Sequence, residues 1–151
     1  MRFQQLKEIL DHMIDSRSAM SQLYRRMTGQ ADSPRAKMLL EYMVIHEKEV
    51  IEKLSNYQDE ASPRVLDTWF ENVQGEDFTA LCQKIELPAT MTEQDVLGMA
   101  LDLENRLLDV LHAALEVAPT QDVKSAIESL LQAERVRQQR FVHSTMRMDD
   151  M

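Results

Sequence analysis

The sequence predicts an all-α fold, a four-helix bundle in which one long crossover connection joins two helical hairpins. Three observations carry this prediction. Four long stretches place apolar residues three and four positions apart, the period of a helix with one buried face. Glycine and proline are scarce, 3 and 4 in 151 residues, while 11 methionines and few aromatics favour helix over sheet. The first and second stretches are closely linked, as are the third and fourth, whereas roughly three dozen residues separate the second from the third. That is far more than an antiparallel hairpin needs.

The first helix is expected over about 2–28, with the stripe Phe3, Leu6, Leu10, Met13, Arg17, Met20, Tyr24 and Met27, and Gly29 as its stop. The second, over about 33–57, opens with Ser33 as N-cap and Pro34 at the first helical position. Its stripe is Leu40, Met43, Glu47, Val50, Leu54 and Tyr57. The crossover spans 58–91. Ser62-Pro63 is expected to start a short helix that includes Leu66, Trp69 and Phe70, and a second apolar turn holds Phe78, Leu81, Cys82 and Ile85.

The third helix, about 92–118, starts at Thr92, which with Asp95 resembles a capping box. It runs through Leu97, Ala100, Glu104, Leu107, Leu111, Ala114 and Ala118, and Pro119 ends it. Thr120 then caps the fourth helix, about 120–145, whose stripe is Val123, Ile127, Leu130, Glu134, Arg137 and Phe141. A single domain over 1–145 and a flexible Met-rich tail over 146–151 follow from this reading.

Composition excludes several functions. A net charge of −9 argues against nucleic acid or an anionic membrane surface as partner, because both require a basic patch. No run approaches transmembrane length, and Met1 to Leu10 lacks the apolar segment of a signal peptide. One cysteine, Cys82, forms no internal disulfide and sits among apolar residues, which suggests inert packing in a reducing compartment. The expected location is therefore cytoplasmic.

The informative residues are the charges that interrupt the stripes: Arg17, Glu47, Glu104, Glu134 and Arg137. A charge at a core position costs several kcal/mol unless it is paired or binds a metal. Each helix is about 40 Å long at 1.5 Å per residue, and midpoints coincide in a bundle whichever way its helices run. Taken singly, Glu104 or Glu134 reads as a solvated residue at a stripe's edge. Five charges at matching depth instead point to one shared polar centre, with Val50 and Arg137 one turn from it. The four histidines fall off this register. His46 precedes Glu47 and so points about 100° away, His112 follows Leu111, and His143 lies well beyond Arg137. With His12 they are expected at the surface or in grooves, not as ligands.

These residues carry a resemblance. Glu47-Lys48-Glu49-Val50 and Glu134-Arg135-Val136-Arg137 stand where ferritin-like di-iron carboxylate proteins carry Glu-x-x-His on two helices. Ala100-Leu101-Asp102-Leu103-Glu104 looks like the third-helix segment of rubrerythrin-like proteins, and Tyr24 follows position 17 by the two turns such proteins use between ligand Glu and Tyr. The chain thus resembles the ferritin-like, rubrerythrin-like di-iron carboxylate family over nearly its whole length, with a degenerate ligand set. The resemblance implies iron as cofactor, chemistry such as peroxide reduction, oxygen activation or iron oxidation, and a homodimer. Arg17, Val50 and Arg137 depart from the family's ligands, and no rubredoxin-like iron segment is found.

The expectation is a bundle that has lost its di-iron centre, in which Arg17 and Arg137 neutralise Glu47, Glu104 and Glu134. It binds no metal or other cofactor, has no catalytic residue, and serves a structural or protein-interaction role. The rival is a metal-binding oxidoreductase or iron-handling protein using Glu47, Glu104 and Glu134. A third reading, a carrier of apolar ligands, requires an elongated cavity in the Met-rich interior.

Overall fold

Glu8 decides where the first helix begins. Its carboxylate accepts the backbone N–H groups of Gln4 and Gln5, satisfying donors that the first helical turn leaves orphaned. Residues before Leu6 are therefore free to extend. In the computed structural model, which describes residues 2–149 and the side chains as far as Met146, they form a strand, β1 (Arg2–Gln5). The helix expected from residue 2 instead starts at Leu6, as α1 (Leu6–Gln30).

The partner of β1 lies in the crossover. After α2 (Pro34–Glu60) and a single turn, α3 (Pro63–Leu66), the chain extends again as β2 (Trp69–Gln74). The two strands pair antiparallel, Arg2 with Gln74, Phe3 with Val73 and Gln5 with Trp69. Between the last two pairs β1 has one residue, Gln4, and β2 has three, Phe70, Glu71 and Asn72. Asn72 absorbs the excess at φ 56°, a left-handed conformation that asparagine tolerates. Trp69 and Phe70, expected in a helix, thus lie on a strand. Phe70 and Val73, three positions apart, are both buried because the irregularity at Asn72 resets the two-residue alternation, and Trp69 is left 63% exposed. Gly75 follows because a Cβ there would come within 2.6 Å of the Phe3 ring.

Gly29 does not stop α1. The helix continues to Gln30, and the turn out of it is fixed by Asp32, whose N–H bonds the carbonyl of Ala89, and by the extended residue Ser33 before Pro34. Ser33 accepts from the Ala36 N–H to cap α2. The crossover closes with α4 (Phe78–Lys84), capped by Asp77. Arg26 of α1 donates to the Cys82 and Ile85 carbonyls at its far end, which ties α4 to the bundle. Cys82 is buried, and that burial pushes its thiol up to about 11, so it stays protonated at neutral pH.

Thr92 and Asp95 exchange hydrogen bonds at the start of α5 (Glu93–Glu116). Thr120 caps α6 (Gln121–Asp149). The tail expected over 146–151 is helical as far as Asp149, and residues 150 and 151 lie outside the described residues. The four long helices share one core centred on α1, whose Leu6, Leu10, Met13, Met20 and Met27 are almost fully enclosed.

Candidate functional site

Arg17 sits at the middle of α1, where the 3.6-residue period points it into the bundle. It is 1% exposed and among the largest fully buried side chains. The same periodicity brings Glu47 from α2, Glu104 from α5 and Glu134 from α6 to the same level, each buried. The guanidinium meets all three. Its Nη1 donates to both carboxylate oxygens of Glu47, at 3.1 and 3.2 Å, and to Oε1 of Glu104 at 2.9 Å. Its Nη2 donates to Oε2 of Glu134 at 2.6 Å. The planar fork of donors suits this task, since one rigid group addresses carboxylates on three helices.

Arg137 stands one turn beyond Glu134 on α6 and donates through Nη2 to its other oxygen, Oε1. It does not reach Glu47 or Glu104 through any hydrogen bond among the described residues, so it supports one carboxylate from the side. Val50, one turn past Glu47, is buried and contributes only packing.

The electrostatics follow from burial set against pairing. Burial opposes the charge on Arg17, but Glu47, Glu134 and Glu104 outweigh it and hold the guanidinium firmly protonated. Glu47 is raised above the ordinary carboxylate value because burial outweighs Arg17. Glu104 feels the same burial, yet Arg17 and His46 carry it down to about 2. Two carboxylates on one guanidinium are therefore driven apart. Tyr24, two turns after Arg17, is pushed well up by burial and by Glu47 and Glu104, and its hydroxyl has no hydrogen-bond partner among the described residues.

One member of the site was not legible in the stripe. His46 does not face away from the centre: its Nε2 lies 3.7 Å from Oε1 of Glu104, and its ring is stacked among Tyr42 and Phe141. The 100° step from Glu47 turns it towards the seam between α2 and α6, where an aromatic wall encloses it. Tyr42 and Phe141, stacked at 5.9 Å, close this seam. His12, also expected at the surface, is buried at 6% exposure between Phe3 and Phe78. His112 is half-buried and His143 exposed.

His46, Glu47 and Glu104 offer ligand atoms within 4.8 Å of one another, the one such trio among the described residues. Arg17 donates to Oε1 of Glu104 and to both oxygens of Glu47, the atoms a cation would take there.

A crystal structure of a Thermotoga maritima protein, provisionally described as a ferritin-like diiron-carboxylate protein, matches this fold. The TM-score is 0.60 over 94% of this chain and 95% of that one, at 13% sequence identity. At that identity the likeness establishes the architecture: the chain has a ferritin-like fold. No family model matches the sequence, and no curated protein does.

Proposed function

We propose that this chain is a ferritin-like protein that has lost its di-iron centre and works as a structural or protein-interaction module. The observation that carries this reading is the Arg17 guanidinium, hydrogen-bonded to Glu47, Glu104 and Glu134 at once. A guanidinium is not deprotonated in a protein and cannot coordinate, and its charge repels a metal cation. The residues as placed do not fit a pair of iron ions, with Arg at 17 and 137 and Val at 50, so no redox step is assigned to them. Three carboxylates and two guanidiniums leave a residual charge of −1, and the contact with Glu47, in which Nη1 alone spans both carboxylate oxygens, is charge-assisted.

The interaction role we propose is a homodimer, with Trp69, the most exposed large apolar side chain among the described residues at 63%, as the first candidate for its contact. No helix among the described residues is long and apolar enough to cross a membrane.

The His46, Glu47 and Glu104 trio favours a second reading, a metal-binding oxidoreductase or iron-handling protein with Glu134 as a further ligand. It requires Arg17 to leave the centre. The test is to purify the protein from iron-supplemented cells, expose it anaerobically to ferrous iron, and quantify metal per chain. Essentially no bound metal is expected. One or two tightly held irons per chain would overturn the proposal in favour of the second reading.

A further inference from the structure

The seam between α2 and α6, closed at His46 by Tyr42 and Phe141, opens further along into a groove of about 840 Å³. Four cationic side chains line it, those of Lys53, Arg135, Arg137 and Arg140, against one acid, Glu128. In a chain of net charge −9 this is a local reversal of sign. Of the four, only Arg137 is in an ion pair among the described residues.

Helix geometry places three of these cations in one row. Lys53 follows His46 by seven residues, so it returns to the same flank of α2 two turns on. Arg137 precedes Phe141 by one turn on α6, and Arg140 is its neighbour three residues on. The two helices run antiparallel, since Arg64, just past the end of α2, pairs with Asp122 at the start of α6. Steps from His46 to Lys53 and from Phe141 to Arg137 therefore lead the same way along the seam. At 1.5 Å per residue the row Arg140, Arg137, Lys53 is staggered over about 9 Å. Arg135 stands at the other margin of the groove, about 200° round α6 from Arg137.

Arg137 is the residue that points to a ligand. It commits Nη2 to Glu134, its Nη1 makes no hydrogen bond among the described residues, and its side chain is 16% exposed where it lines the groove. Glu134 already fixes the guanidinium in place, so little ordering remains when an anion arrives. Arg140 and Lys53 bring long stems and unpaired charged ends to either side of it. A single small anion reaches only part of such a row. A short chain of linked phosphates matches it, with successive oxygens on the forks of Arg137 and Arg140 and on the point charge of Lys53. A long polyanion such as nucleic acid is repelled by the net charge of the chain. We propose that the groove binds a linear triphosphate group, held by Arg137, Arg140 and Lys53.

The experiment is calorimetric titration of inorganic triphosphate into the full chain, without divalent metal and at a fixed ionic strength of about 0.15 M. One saturable site per chain is expected, with orthophosphate weaker by about tenfold or more. Arg140→Gln and Lys53→Gln, both at exposed positions, should each weaken triphosphate about tenfold. Arg135→Gln removes the same charge from the other margin and should leave the affinity within about twofold. Tighter binding of ATP than of triphosphate would identify a nucleotide as the source of the group, and equal or weaker binding the free anion. No saturable site, orthophosphate as tight as triphosphate, or equal losses in the three variants would each overturn the proposal, the last by reducing it to a general positive field.

Discussion

Arg17 is a residue whose removal leaves three problems behind, one on each of three helices. Replacing it with methionine keeps the volume but strands Glu47, Glu104 and Glu134 in the interior. Breaking a buried pair by deleting one partner costs roughly 3–5 kcal/mol, so Arg17→Met should lose about that much in urea unfolding at neutral pH. Wild-type stability in this variant would sink the arginine-centred network. The pH dependence provides a second check, with its sign worked through Glu104. Its folded pKa is depressed to about 2. Its contribution is therefore present above the ordinary value near 4.5 and disappears as pH falls towards 2. Glu47 is raised, so its contribution has the opposite sense, present below the ordinary value and lost as pH rises through the folded one. Glu104→Gln should remove the acid-side loss between about pH 4.5 and 2, leaving a flatter stability profile in denaturant titrations over that range. An unchanged slope would mean that Glu104 is not held by Arg17.

At the scale of elements, the β1–β2 ribbon makes the sharpest demand on sequence. Asn72 at φ 56° is the only non-glycine residue among those described with positive φ. A β-branched side chain resists that conformation, so Asn72→Val should cost about 1–2 kcal/mol, while Asn72→Gly should be close to neutral. Equal Tm values for the two variants would show that the bulge is not strained.

The ribbon is also where sequence reading ran out, for a physical reason. The four helices were legible because each carries a 3.6-residue stripe, apolar except for its central charges, and three of them open on recognisable caps at Ser33, Thr92 and Thr120. Phe3 fits the helical stripe as well as it fits a strand, and only its distant partner Val73 decides between them. His46 was misplaced for the same kind of reason. A residue one step off the stripe is buried or exposed according to the neighbouring helix, and here Tyr42 and Phe141 close over it. Arg17 and the three glutamates were legible because each breaks an otherwise apolar row. How the two arginines divide those carboxylates was not, since it depends on the packing of four separate helices.

For the molecule as a whole, the proposed assembly rests on apolar surface that the monomer leaves open, above all Trp69. If β2 forms part of a homodimer contact, Trp69→Ser should shift the protein to monomer in analytical ultracentrifugation while leaving its thermal unfolding as a monomer nearly unchanged. Dimer retained in that variant would move the contact to another face, and a wild-type monomer at high concentration would remove the homodimer altogether.

The ribbon also fixes an order of events. Gln5 and Asp67 lie 62 residues apart and are joined by a hydrogen bond, with Lys7 and Asp67 paired beside it. Closing so long a loop in an unstructured chain sacrifices entropy before any contact repays it. Once α1 and α2 zip against each other, the two ends are already neighbours and the loop is short. The N-terminal strand is therefore a late latch. It cannot engage during synthesis until nearly half the chain has emerged, and it should be the first part to open, exchanging its amide protons well before the helices do.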